Sequence, residues 1–146
     1  TAQCLDVLEL LFTGAVRFAV ERGTDEELVK ARELLRIMWD GETDEESYLN
    51  ALGELTQLIH AASRNLVLQL VRNGIRSLFE RRSELAQLRL PRTRIGTVSR
   101  LLERALAERD AAAAQEGARE LVRANRERLL SAIEAERART NPSTTP

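Results

Sequence analysis

A single cysteine, Cys4, excludes an internal disulfide and gives no sign of a stapled secreted scaffold. Aromatic residues make up only 3% of the chain, so any core must be built from Leu, Val, Ile and Ala. That composition favours helix over strand, where aromatic and β-branched residues are enriched. Seven glycines and three prolines are too few for a β-rich protein with many turns. No apolar run approaches the roughly 20 residues needed to span a bilayer. The opening stretch, TAQCLDVLELLF, lacks the basic flank of a signal peptide. The expected location is therefore cytoplasmic, with no membrane partner. Glycine-rich phosphate loops, metal-protease helices, nucleophile elbows and paired cysteines are all missing. With one histidine, His60, imidazole catalysis would rest on that residue alone, and an enzyme is not expected. His60 lies beside Ile59 and reads as a partly buried packing residue, with a ligand contact as the competing reading.

What is present is a chain of 146 residues, the size of one domain, with 43% hydrophobic and 31% charged residues. The net charge of −1 and pI near 6.0 leave no overall basic footprint for nucleic acid. Charge is nevertheless uneven. Glu21 to Glu54 holds 11 acids and 4 bases, and Arg64 to Arg104 holds 10 bases and 3 acids. Either these segments face each other or solvent, or some of the arginines meet phosphate.

Hydrophobic periodicity predicts an all-α fold, an antiparallel bundle of six to seven helices. A first helix spans about Leu5 to Arg22, with Val7, Leu8, Leu11, Phe12, Ala15, Phe18 and Ala19 inside and Gly23 as its C-cap. Thr24 and Glu27 form the capping-box pattern of a second helix, which buries Leu28, Ala31, Leu34, Leu35 and Met38 and ends at Trp39. Asp44 or Thr43 caps a third, with Tyr48, Leu52, Leu55, Ile59 and Ala62 on one face. The chain is punctuated at Ala62-Ser63-Arg64-Asn65. A fourth helix follows, running to Leu85 or Leu88. Its stripes Leu66, Leu70, Asn73, Ser77 and Val67, Val71, Ile75, Leu78 predict burial on most sides and a central position. Gly74 in its interior implies either close approach of a neighbour or a tolerated defect. Pro91 breaks the chain. A fifth helix runs from about Arg92 to Glu108 with Ile95, Val98, Leu101, Leu102 and Leu106 inside, and Asp110 opens a last helix that frays near Ala138. Residues 1–139 are expected as one ligand-binding and dimerisation domain, and 140–146, TNPSTTP, as a disordered tail.

Three stretches carry a resemblance. The Ala-Ser-x-Asn turn followed at once by an apolar helix, the segment Leu70 to Phe79 (LVRNGIRSLF), and the pattern from Leu102 to Ala114 with Asp110 opening the last helix are similar to the C-terminal effector-binding domain of FadR-type regulators in the GntR family. The ending AVRFAVERG of the first helix fits the same pattern. The resemblance implies a domain that senses a small molecule and forms a homodimer. DNA would be met only through an N-terminal winged helix, which is expected to precede Thr1. A helical sensing module of another class, such as a TetR-like domain, would show the same composition.

Most domains of this family hold a metal with one Asp and three His. Matching Asn65 and Asp110 to the family pattern places Leu52, Thr56, Ser99 and Leu121 at those four positions. The resemblance therefore implies a metal-free, cofactor-free variant. Leu8 and Phe12 fall where many relatives carry an Arg and a Glu. A pocket lined by Leu8, Phe12, Leu52 and Leu121, with Thr56, Asn73 and Ser99 as polar groups, would suit an apolar effector. The regulator for which the family is named also lacks the metal and binds fatty acyl-CoA, so a lipophilic or acyl-type ligand is implied. The alternative is that these residues fill the centre and leave no cavity.

Overall fold

The computed structural model describes residues 2–76 and 92–141, which form six helices and no strand. They are α1 (Ala2–Arg22), α2 (Asp25–Trp39), α3 (Glu45–Ala62), α4 (Leu66–Arg76), α5 (Thr93–Ala107) and α6 (Ala111–Thr140). Capping residues set the boundaries. Thr24 Oγ1 accepts from the Glu27 amide at 3.1 Å, and Glu27 returns the bond to the Thr24 amide at 3.2 Å. Asp44 and Asp110 each accept from the amide three residues on, at 2.7 Å and 3.0 Å. Asn65 does the same for Leu68 at 3.1 Å and opens α4. The last helix reaches Thr140, two residues beyond the expected fraying point. The continuation of the fourth helix, the break at Pro91 and residues 142–146 lie outside the described residues.

Five helices close a ring. Around it, α1 packs on α6, α6 on α5, α5 on α2, α2 on α3, and α3 back on α1. The core inside is aliphatic: Val16, Leu35, Met38, Leu55, Ile59, Ile95, Leu102, Leu106 and Leu121 are buried. Fully buried alanines on α1 (Ala15, Ala19) and α6 (Ala114, Ala118) keep the most extensive helix pair close. At Gly117 on α6, an added Cβ would lie 3.3 Å from both Cα and Cβ of Leu102, so α5 and α6 approach without room for a side chain. Leu101, expected inside, is exposed; its neighbour Leu102 takes the inward position. Val7 is likewise exposed.

The ring closes without α4, which corrects the expectation of a central fourth helix. This helix touches α1 and α3 only. At about 100° per residue, its inward side carries Leu68 and Arg72, while Leu66, Val67, Leu70 and Val71 share the opposite face. Leu66 and Val67 are each 68% exposed, and Leu70 is 61% exposed. Gly74 meets no atom within 4 Å of an added Cβ, so close approach is not its reason.

One end of the bundle is tied by arginines. Arg64 and Arg109 occupy the turns before α4 and α6 with φ of 49° each, the left-handed region that side chains rarely adopt. Both reach the C-terminal end of α1, where unpaired carbonyls attract cations. Arg109 donates to the carbonyls of Val20 (2.9 Å) and Gly23 (3.0 Å) and to Asp25 (2.7 Å). Arg64 donates to the Arg22 carbonyl (3.2 Å) and to Glu27 (2.7 Å). That last bond holds the Glu27 carboxyl below its ordinary pKa. Gly23 is needed beside this clamp because a Cβ there would sit 2.4 Å from the Ala19 carbonyl oxygen. The acidic and basic segments thus meet directly, at Arg64–Glu27 and also at Arg92–Glu45.

Candidate functional site

A cavity of about 210 Å³ opens between α1, α3 and α6, with Arg72 of α4 at its edge. Each helix presents one apolar stripe to it. Leu5, Leu8, Leu11 and Phe12 come from α1, Leu49 and Leu52 from α3, and Leu121, Val122 and Leu129 from α6. On α3 the lining residues run from Glu45 to His60, a span of roughly 22 Å at 1.5 Å per residue. The cavity therefore has a leucine-lined middle and two polar ends.

At the Glu45 end, Arg128 donates to Glu45 Oε1 at 2.7 Å, and Arg92 lies 3.8 Å from Oε2 of the same carboxylate. Both guanidinium groups stand 5.0 Å from the centre of the Tyr48 ring. Arg92 also donates to the Thr43 carbonyl. Two cations thus share one carboxylate, and Nη1 of Arg92 and Nε of Arg128 are buried without a hydrogen-bond partner among the described residues. The Tyr48 hydroxyl donates to Asn125 Oδ1 at 2.5 Å, and Asn125 Nδ2 donates to the Leu121 carbonyl at 2.9 Å. Burial is the main cause that pushes the Tyr48 phenol up to about 12. Arg126, on the same stretch of α6, pairs with Asp6 of α1 at 2.5 Å.

At the other end, the Thr56 hydroxyl turns away from the cavity's centre and donates to the Leu52 carbonyl at 2.8 Å. His60 is 3% exposed. Its Nδ1 lies 2.8 Å from the Thr56 carbonyl oxygen, its ring is 6.4 Å from that of Phe12, and its Nε2 has no partner. Burial of the ring, and then the charge of Arg72, hold His60 below its ordinary pKa against the opposing bond to Thr56.

Of the seven pocket residues named from the sequence, Leu8, Phe12, Leu52, Thr56 and Leu121 line this cavity. Asn73 does not reach it: one residue past Arg72, it is carried round to the exposed side of α4. Ser99 does not reach it either. It is fully buried on α5, which faces α2 and α6 rather than the α1–α3 side. Sequence reasoning missed Arg72, Asn125, Arg126 and Arg128. Asn125 had a signal, standing four residues after Leu121 and hence on the same helical face.

Leu52, Thr56, Ser99 and Leu121 do not fit the metal of the common family pattern. Two have no donor atom, Thr56 Oγ1 is engaged with its own helix, and Ser99 lies elsewhere. Among the described residues no three His, Cys, Asp or Glu side chains come together in a metal-binding group. Nor is any described helix long and apolar enough to cross a membrane.

Comparison with known proteins gives one family. The sequence profile described as the FCD domain matches residues 3–139, nearly the whole chain. No curated protein and no solved structure matches significantly.

Proposed function

The chain belongs to the FCD family, the non-catalytic effector-binding and dimerisation domains of FadR/GntR-type regulators, and from that premise we propose that it senses an apolar or acyl-type small molecule in the α1–α3–α6 cavity. The observation that carries this reading is the cavity itself, whose walls are mostly leucine and whose polar groups gather at its ends. An apolar cavity of about 150 Å³ takes up benzene. One of 210 Å³ accepts a somewhat larger ring or a short alkyl chain. Of an acyl-CoA it would enclose only acyl carbons, with the nucleotide outside near Arg72, Arg126 and Arg128.

The second copy of the domain meets the exposed face of α4. Leu66, Val67, Leu70 and Val71 form a contiguous apolar strip on one helix of a family whose members dimerise. Because α4 also places Arg72 at the cavity, an occupant there biases the subunit arrangement as well as the bundle, and so the spacing of the DNA-binding heads. DNA is contacted by a separate winged-helix domain, in the cytoplasm, and not by this bundle.

Native mass spectrometry of the purified chain, compared with its denatured mass, tests both parts. A dimer carrying extra mass that is lost on denaturation supports a sensor with a captured ligand. A clean dimer that also fails to take up octanoate or octanol defeats the apolar-ligand reading. A monomer at micromolar concentration defeats the α4 interface.

A further inference from the structure

Every hydrogen-bonding group at the far end of the cavity is already engaged within the described structure except one. The Thr56 hydroxyl is turned to the Leu52 carbonyl, and the Thr56 carbonyl to His60 Nδ1. His60 Nε2 is buried at the cavity wall with no partner. A buried polar atom left unpaired costs about 1–3 kcal/mol, which calls for an explanation in a ring otherwise so well held.

The neighbour of Nδ1 fixes the chemistry of Nε2. A carbonyl oxygen only accepts, so the 2.8 Å contact requires the proton on Nδ1. In the neutral ring Nε2 is then a bare lone pair, an acceptor. The surroundings keep the ring neutral: it is enclosed by the apolar side chains of α1 and α3, it stands beside Phe12, and the nearest cationic group at this end is Arg72. A bare lone pair repels a carboxylate and offers nothing to an ether or ester oxygen. It rewards a group that brings its own proton.

We propose that His60 Nε2 is the specificity-determining acceptor of the cavity, and that the effector is an apolar molecule bearing a hydroxyl or amide N–H at the end that lies against His60. This rests on the reading of the cavity as the effector site and narrows its ligand from apolar to apolar with a neutral donor. No other free acceptor on the cavity wall at that end competes for the role.

Three probes of equal or near-equal size test it: 1-octanol, its isomer 1-methoxyheptane, and octanoate. Binding is measured by calorimetry to the wild-type chain and to His60→Phe. The expected result is that octanol binds about fivefold tighter than the ether, the worth of about one neutral hydrogen bond, and that His60→Phe abolishes the difference. Equal affinity of alcohol and ether in the wild type overturns the role of His60 and leaves the cavity reading standing. Binding of none of the three overturns both. Octanoate binding tighter than octanol, with that preference lost in His60→Phe, overturns the neutral-donor assignment in favour of an anion. Should His60→Phe fail to fold, the wild-type chain still decides. His60 is its only histidine, so its ring nitrogens are the only imidazole signals in a ¹⁵N spectrum. Octanol is expected to shift Nε2 toward the hydrogen-bonded position while Nδ1 stays protonated, and the ether is not. An Nε2 signal that octanol leaves unmoved, or a proton found on Nε2 in the free chain, overturns the proposal.

Discussion

The sole tyrosine offers a direct test of how dry the Glu45 end of the cavity is. Tyr48 is fully buried, donates to Asn125, and has its phenol pushed up to about 12 from an ordinary 10.0, mainly by burial. The perturbation is a rise in pH. Below pH 10 the phenol is protonated in both folded and unfolded chains, and the stability it contributes is fully present. As pH climbs from 10 toward 12, the unfolded chain loses the proton while the folded chain keeps it. Stability is therefore lost across that window. A displacement of about two units at about 1.4 kcal/mol per unit makes the loss roughly 2–3 kcal/mol at its upper end. Few other groups cloud the measurement. The chain has one lysine, Lys30, and its arginines remain charged. Tyrosinate absorbance and helical circular dichroism would be followed together. The expected outcome is little tyrosinate at pH 10, then ionisation coupled to loss of helix near pH 12. Half-ionisation at pH 10 with the helices intact would refute the claim that this end is dry, and with it the hydrogen bond to Asn125.

The other predictions concern packing, capping and assembly. Gly14→Ala adds a Cβ with nothing within 4 Å and should stabilise by about 0.5–1 kcal/mol. The same change at Gly117 should destabilise, because overpacking at about 1–3 kcal/mol outweighs that gain; paired thermal melts give the two signs. Arg109→Ala removes bonds to Val20, Gly23 and Asp25 while keeping a left-handed turn. It should cost about 1–2 kcal/mol, or about 3–6 °C in Tm for a chain of this size. Leu66→Glu combined with Leu70→Glu should leave circular dichroism unchanged and shift sedimentation from dimer to monomer; a dimer that persists would place the interface elsewhere.

Much of the fold was legible because local signals agreed. Thr24 with Glu27, Asp44 and Asp110 all cap helices whose apolar spacing says the same thing. The α4 helix shows where that reasoning stops. Leu66, Val67, Leu70 and Val71 mark a face that avoids water, but periodicity does not distinguish burial inside the bundle from burial against another chain. The two left-handed arginines were also invisible, since nothing in arginine favours that region and the compensation comes from carbonyls of α1, more than 40 residues away in sequence. Arg126 and Arg128 read as solvated charge, yet they sit where α6 passes α1 and α3 and acquire Asp6 and Glu45 as partners.

The stretch Ala62-Ser63-Arg64-Asn65, which carries the resemblance most clearly, has a physical role that ties family likeness to the cavity. Ser63 is fully buried, and its hydroxyl donates to the His60 carbonyl at 2.6 Å. Arg64 reverses the chain and anchors it to α1, with Arg22 donating back to the Ser63 carbonyl at 3.1 Å. Asn65 then caps α4 and so fixes the start of the helix that brings Arg72 to the cavity. Each residue of the turn thus fixes either the last turn of α3, where His60 lies, or the first turn of α4. A short motif can therefore persist while the groups it positions change. Here the turn remains, the residues at the metal positions are Leu52, Thr56, Ser99 and Leu121, and the histidine it braces is His60, one helical turn beyond Thr56 on the face that meets the cavity.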